Sequence, residues 1–230
     1  MERLEEELYL SKPDRILIIS PHGSILADAF SLNLCVKYQT DLKEFGDLST
    51  KLTFTGEPHF PTKLRSAAKR AGIDTVITSE PSLDHGAAVP LFYLMRHLPN
   101  AAIIPMGFSG LDAKTHVEFG YIIKDHIFET TKRVAVIASG DLSHALTSDA
   151  PAGFNQAGVE FDNKIQELLA SHNTAGMLRL DPSLVDAAAE CGFRSFLILM
   201  GILRDVNYKY ESLAYEGPFG VGYLTANFIL

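Results

Sequence analysis

Two short runs, Arg15-Ile16-Leu17-Ile18-Ile19-Ser20 and Arg133-Val134-Ala135-Val136-Ile137-Ala138, are almost wholly apolar, with no alternation of period two. A strand with one wet face alternates, whereas one covered on both faces reads as a continuous apolar run. The two runs therefore predict central strands of a sheet with helices on both sides. Ala101–Pro105 is a third run of this kind, and shorter strands are expected near 74–78, around 31–38 and at 51–55. Between them, helical spacing is read at 2–11, 61–71, 87–98, 112–130, 155–171 and 193–204. Pro13-Asp14 breaks the first of these helices, and Gly72 stops the second. The tail 206–229 alternates and carries aromatics around Gly217-Pro218-Phe219-Gly220, which predicts a terminal strand pair. Strands alternating with helices give an α/β fold: a three-layer α/β/α sandwich around a mixed, largely parallel sheet, the terminal pair being the reason to expect mixing. With no internal repeat or low-complexity linker, residues 1–230 read as a single domain.

Composition narrows the function classes. A net charge of −8 and the lack of any basic stripe argue against a nucleic-acid partner. No apolar run is long enough to cross a bilayer, so no membrane partner is expected. The start, Met-Glu-Arg-Leu-Glu-Glu-Glu, lacks the pattern of a signal peptide. Cys35 and Cys191 belong to no CxxC and read as reduced thiols, which places the chain in the cytoplasm.

The buried strands end in turns that carry ionisable residues. The first runs into Pro21-His22-Gly23, and the other into Ser139-Gly140-Asp141-Leu142-Ser143-His144. In open α/β sheets the ligand crevice lies beyond the carboxyl ends of the strands, so His22 and His144 are natural site candidates. Each alone could equally be a turn cap. Asp84-His85-Gly86 precedes an apolar helix, so Asp84 is a plausible N-cap. His85 would then lie at the positive end of the helix dipole, which favours the neutral imidazole that a general base needs. The alternative for His85 is packing at a helix start. Ser139–His144 is not a G-x-S-x-G elbow, so acyl transfer is disfavoured, and Asp141 reads as a partner that orients an imidazole. Glu190 ends an alanine run before Cys191-Gly192, a placement that suits a pocket although most such glutamates are solvated; Cys191 is a candidate ligand, with a small buried apolar residue the more frequent role. His59, between Pro58 and Phe60, reads as a surface turn histidine.

Taken together, Ile19-Ser20-Pro21-His22-Gly23, Leu83-Asp84-His85-Gly86-Ala87-Ala88-Val89-Pro90-Leu91, Ser139–His144 and Glu190-Cys191-Gly192 resemble the class III extradiol ring-cleavage dioxygenases (LigB-like). The related Memo-type proteins share much of this pattern. The resemblance runs from about residue 13 to the C-terminus, and its most specific piece is the Asp-His-Gly-x-x-Val-Pro-Leu block. It implies a non-haem Fe(II), or another divalent metal such as Zn, held by histidine and carboxylate, with O2 as co-substrate and a small catechol-like aromatic substrate. Residue by residue, it implies His22 and Glu190 as metal ligands and His85 and His144 as catalytic acid/base groups. Asp84 and Asp141 would support them from behind, and no other cofactor is implied.

Family members also begin with a strand ending in a first metal histidine, whereas this sequence starts inside the helix that follows. The resemblance therefore implies a sheet one strand short, whose open edge would favour a homo-oligomer. Three functions from different classes follow: oxidative ring cleavage in aromatic catabolism, a Memo-like binding or regulatory protein with a degenerate metal pocket, and metal-dependent hydrolysis.

Overall fold

The computed structural model describes residues 1–230 apart from the side chain of Glu44. Its central sheet is built from β1 (Arg15–Ser20), β2 (Phe30–Asn33), β5 (Thr75–Thr78), β6 (Ala102–Gly107) and β7 (Val134–Ala138), in the order β5-β2-β6-β1-β7. The remaining strands form two hairpins, β3 (Lys37–Leu42) with β4 (Asp47–Thr55) and β8 (Lys209–Glu216) with β9 (Tyr223–Ile229). The helices are α1 (Glu2–Ser11), α2 (His59–Arg70), α3 (His85–Leu94), α4 (Ala113–Phe128), α5 (Gln156–Ala170), α6 (Thr174–Met177), α7 (Pro182–Ala188) and α8 (Phe193–Ile202).

The central strand behaves as its composition requires. β1 pairs in parallel with β6 on one side and β7 on the other, and Ile16, Leu17, Ile18 and Ile19 are all fully buried. Because successive side chains point to opposite faces, Leu17 and Ile19 join one core with α2, α4 and α8. Ile16 and Ile18 join another with α3 and with Tyr38 of β3. These two cores are the outer interfaces of the three-layer sandwich. A further apolar cluster ties α5, α6 and α8 to the β8–β9 hairpin.

Several sequence expectations change. The sheet is mixed because β2 meets β6 antiparallel, whereas the terminal pair β8–β9 forms a sheet of its own. The expected strand around 31–38 is two strands, split at Leu34–Val36. The short helices α6 and α7 lack the length for a readable apolar period and were not anticipated. His59 opens α2 instead of sitting in a turn. β7 is apolar on both faces yet only half-buried, because it is an outer strand with β1 as its sole partner in the sheet. A largely apolar cavity of about 1320 Å³ runs along β7. Leu4 and Leu8 of α1 and Leu224 and Phe228 of β9 line it, and it reaches His22 and His85 at the far end.

One helix crossing is set by glycine. A Cβ on Gly120 of α4 would lie 2.1 Å from the carbonyl oxygen of Ile198, and one on Gly201 of α8 would lie 2.1 Å from that of Val117. Only hydrogen at both positions lets α4 and α8 pack backbone to backbone. No helix is long and apolar enough to cross a membrane.

Candidate metal and acid–base site

The site is assembled from the turns that follow β1 and β7 and from the starts of α3 and α8. At the end of β1, the buried Ser20 hydroxyl donates to Asp84 Oδ1 and accepts the His22 N–H at 3.3 Å. The same Asp84 oxygen caps α3 by accepting the Ala87 N–H at 3.1 Å. Asp84 thus performs the N-cap role read from sequence and also ties the β1 turn to the first residue of α3. The result is a stack of His22 on His85, with ring centroids 4.2 Å apart and planes at 26°. Gly86 makes room for it, since a Cβ there would lie 2.7 Å from Ser20 Oγ and 3.1 Å from the His22 ring.

At the end of β7, Ser139 donates its N–H to Ile19 and its hydroxyl to the Gly86 carbonyl, at 2.9 and 2.7 Å. Gly140 follows at φ 147°, a backbone region that favours glycine, and a Cβ on it would lie 2.3 Å from Gly192 Cα. The two glycines let the β7 turn and the start of α8 touch along their backbones. The Asp141 carbonyl accepts from Gly192 N–H at 2.9 Å, and the Asp141 N–H donates to Cys191 Sγ at 3.1 Å. This close approach is what brings Cys191 to Asp141.

The next residues are fixed equally firmly. Ser143 donates its N–H to the buried carboxylate of Asp162 at 2.8 Å and its hydroxyl to the Ala188 carbonyl at 2.9 Å. Asp162 in turn accepts from the Tyr215 hydroxyl at 2.6 Å. The His144 ring Nδ1 meets the Ala189 carbonyl, which can only accept, so Nδ1 carries a hydrogen and Nε2 faces Asp141 Oδ2 at 3.4 Å. Ligand atoms of Asp141, His144 and Cys191 all lie within 4.8 Å of one another, and this is the one such group among the described residues.

Charge follows from these contacts. The hydrogen bond to Asp141, then that to Cys191, raises the His144 imidazole to about 10. Burial, reinforced by the charge of His85, lowers His22 below its ordinary value. Asp84 and Asp141 oppose that fall, while His144 adds to it. Burial pushes Glu190 up to about 7.

Of the residues singled out from sequence, His22, His85, Asp141 and Cys191 line one cavity, and His144 pairs with Asp141. Glu190 is turned elsewhere. Its Oε2 accepts the Phe193 N–H at 2.5 Å, so it caps α8 and is no member of the close ligand group, in which Cys191 stands instead. His22 stands beside that group and is not part of it. Sequence reasoning gave Cys191 a minor place and missed Ser20, Asp162 and Tyr215. The available signal was the glycine after Ser139 and the glycine after Cys191, which mark a close backbone approach.

Comparison with known proteins adds to this geometry. The family model described as the catalytic LigB subunit of aromatic ring-opening dioxygenase matches residues 1–226. Protein CA_C1420 of Clostridium acetobutylicum is 30% identical over 231 residues, covering 96% of this chain and 49% of that protein. The 4,5-DOPA dioxygenase extradiol of Mirabilis jalapa is 26% identical over 178 residues, covering 74% of this chain and 64% of that protein. The chain thus spans about half the length of the first and less than two thirds of the second. The crystal structure of the uncharacterized protein JW3007 from Escherichia coli K12 matches with a TM-score of 0.69 at 16% identity, over 97% of this chain and 91% of that one. At that identity the likeness concerns the fold.

Proposed function

Because the chain belongs to the family of LigB catalytic subunits of aromatic ring-opening dioxygenases, we propose that it is a metal-dependent oxidoreductase acting on a catechol-like ring with O2. The observation that carries the reading is the convergence of Asp141, His144 and Cys191 within 4.8 Å, beside the stacked His22 and His85. A relative named 4,5-DOPA dioxygenase extradiol supports the same class of substrate.

Carboxylate, imidazole and thiol are together a donor set suited to a divalent first-row transition metal, Fe(II) or Zn among them. Asp141, His144 and Cys191 would hold it, with the Ala189 carbonyl fixing the His144 tautomer so that Nε2 is the ligand atom. When bound, the metal would supply Lewis acidity toward a vicinal diol and, if it is iron, a path for electrons to O2. The remaining steps belong to the chain. His22, kept neutral by burial, accepts a phenolic proton from the diol. His85, stacked against it and joined to the β1 turn through the Ser20–Asp84 link, orients that imidazole. Val89 and Pro90 of α3 give the cavity beside His85 an apolar wall.

A second reading is favoured by one observation, the thiol of Cys191 in the ligand group while Glu190 caps α8. It is a Memo-like binding or regulatory role for the same metal pocket.

Cobalt loading and oxygen uptake separate the two readings. The expected result is one Co(II) per chain with a thiolate charge-transfer band that Cys191→Ser abolishes, and O2 consumption by the iron-loaded protein with catechols. Metal binding without O2 uptake across a panel of catechols would transfer the assignment to the binding role. Absence of stoichiometric metal binding would defeat the ligand set itself.

A further inference from the structure

Phe45 carries its ring in an unusual setting. It is 61% exposed, yet its centroid lies 4.8 Å from that of His85, with the planes at 54°. Since His85 is stacked on His22, the three rings form a row that ends in solvent with the apolar one. Among the described residues, His85 is the one ring that Phe45 touches.

The position of Phe45 is determined by structure on both sides. It ends the 3-10 turn Lys43–Phe45 at the tip of the β3–β4 hairpin, where Gly46 at φ 83° turns the chain and donates its N–H to Lys43. Beyond it, Asp47 Oδ1 accepts from the N–H groups of Ser49 and Thr50 and from the Ser49 hydroxyl, a knot that fixes the outgoing strand. The hairpin is also tied to the segment leading into His85. Gln39 N–H donates to Pro81, Leu83 N–H donates to Gln39, and the Thr40 hydroxyl donates to the Leu83 carbonyl. Only Asp84 separates that last contact from His85. The hairpin tip and the His85 imidazole are therefore held in one register, and an apolar ring is kept in water where burial would have been favourable.

We propose that Phe45 is a specificity-determining residue of the site, an aromatic platform beside His85 that takes the planar ring of the substrate. The proposal rests on the reading that the site receives an aromatic diol. Covering Phe45 with a flat apolar ring recovers the burial its exposed position lacks, and offset or edge-on ring contact adds a preference for aromatic over saturated rings. The hairpin then selects for ring planarity, while the histidines and the ligand group recognise the diol.

The test follows the His22 and His85 ring signals by NMR while protein, as isolated and again zinc-loaded, is titrated with catechol or with cyclohexane-1,2-diol. The second probe keeps the vicinal diol and lacks the flat ring. The wild type is expected to prefer catechol. Phe45→Ala and Phe45→Leu should weaken catechol about three- to tenfold, leave the saturated diol unchanged and so erase the preference. Phe45→Tyr should keep it. An unchanged catechol affinity in Phe45→Ala, a wild type without preference, or a wild type whose imidazoles respond to neither probe would each overturn the proposal. Oxygen uptake distinguishes it from the functional reading. Phe45-dependent catechol binding without O2 uptake by iron-loaded protein retires ring cleavage and leaves the platform standing. Uptake with an unchanged KM in Phe45→Ala retires the platform alone. The exposure of Phe45 makes these variants foldable, which unchanged thermal unfolding would verify.

Discussion

Replacing Asp141 by Asn isolates the strongest electrostatic coupling in the site. In the metal-free protein His144 rises from 6.5 to about 10, with Asp141 as the first cause. A native value raised above the unfolded one contributes stability that is complete below about pH 6.5, declines as pH rises, and is gone above about 10. At 1.36 kcal/mol per unit, the full shift sets a ceiling of about 5 kcal/mol. The pair is 3.4 Å apart with side chains 22% and 36% exposed, and Cys191 and Ala189 share the effect. Solvent screening therefore reduces the Asp141 share to about 1–2 kcal/mol. The assay is urea unfolding of metal-free wild type and Asp141→Asn at pH 6, 8 and 10.5, with His144 titrated by NMR. Asp141→Asn should be less stable by about 1–2 kcal/mol at pH 6 and nearly equal at pH 10.5, with the His144 midpoint moved down. A wild-type His144 that titrates near 6.5, or a stability gap that grows with pH, would refute the reasoning.

Three further outcomes follow from the same contacts. Glu190→Gln keeps an acceptor for Phe193 N–H and cannot ionise; because burial raises the native carboxyl from 4.5 to about 7, wild type loses stability as pH rises through that window. The variant should match wild type near pH 4.5, exceed it by about 1 kcal/mol at pH 8 in urea unfolding, and retain Co(II) binding. Gly201→Ala drives a methyl into the Val117 carbonyl and should lower stability by about 3 kcal/mol, read as a fall in the urea midpoint; an unchanged midpoint would mean α4 and α8 do not cross as described. Tyr215→Phe leaves Asp162 short of a donor and should cost about 1–3 kcal/mol, with exchange broadening of the His144 signal because Asp162 also holds the Ser143 N–H; a sharp, unshifted signal would separate Tyr215 from the site.

Local patterns in the sequence determined much of the frame. Apolar runs with no alternation marked β1 and β6 as covered on both faces, since burial on two sides demands apolar residues at every position. Asp84 before an apolar segment foretold a cap, because an unpaired helix start draws a short side-chain acceptor. His22 and His144 were legible as candidates because they follow buried strands, and His85 because it follows a capping aspartate at a helix start. Tertiary structure alone decided the rest. Whether Glu190 or its neighbour Cys191 reaches Asp141 depends on how Gly140 and Gly192 let two distant backbones touch, and adjacent residues differ in direction by an angle that no local pattern records. Phe45 likewise reads in sequence as one more apolar residue of a hairpin. Its place beside His85 exists only because hydrogen bonds from Gln39 and Thr40 to residues 81–83 bring together segments more than forty positions apart.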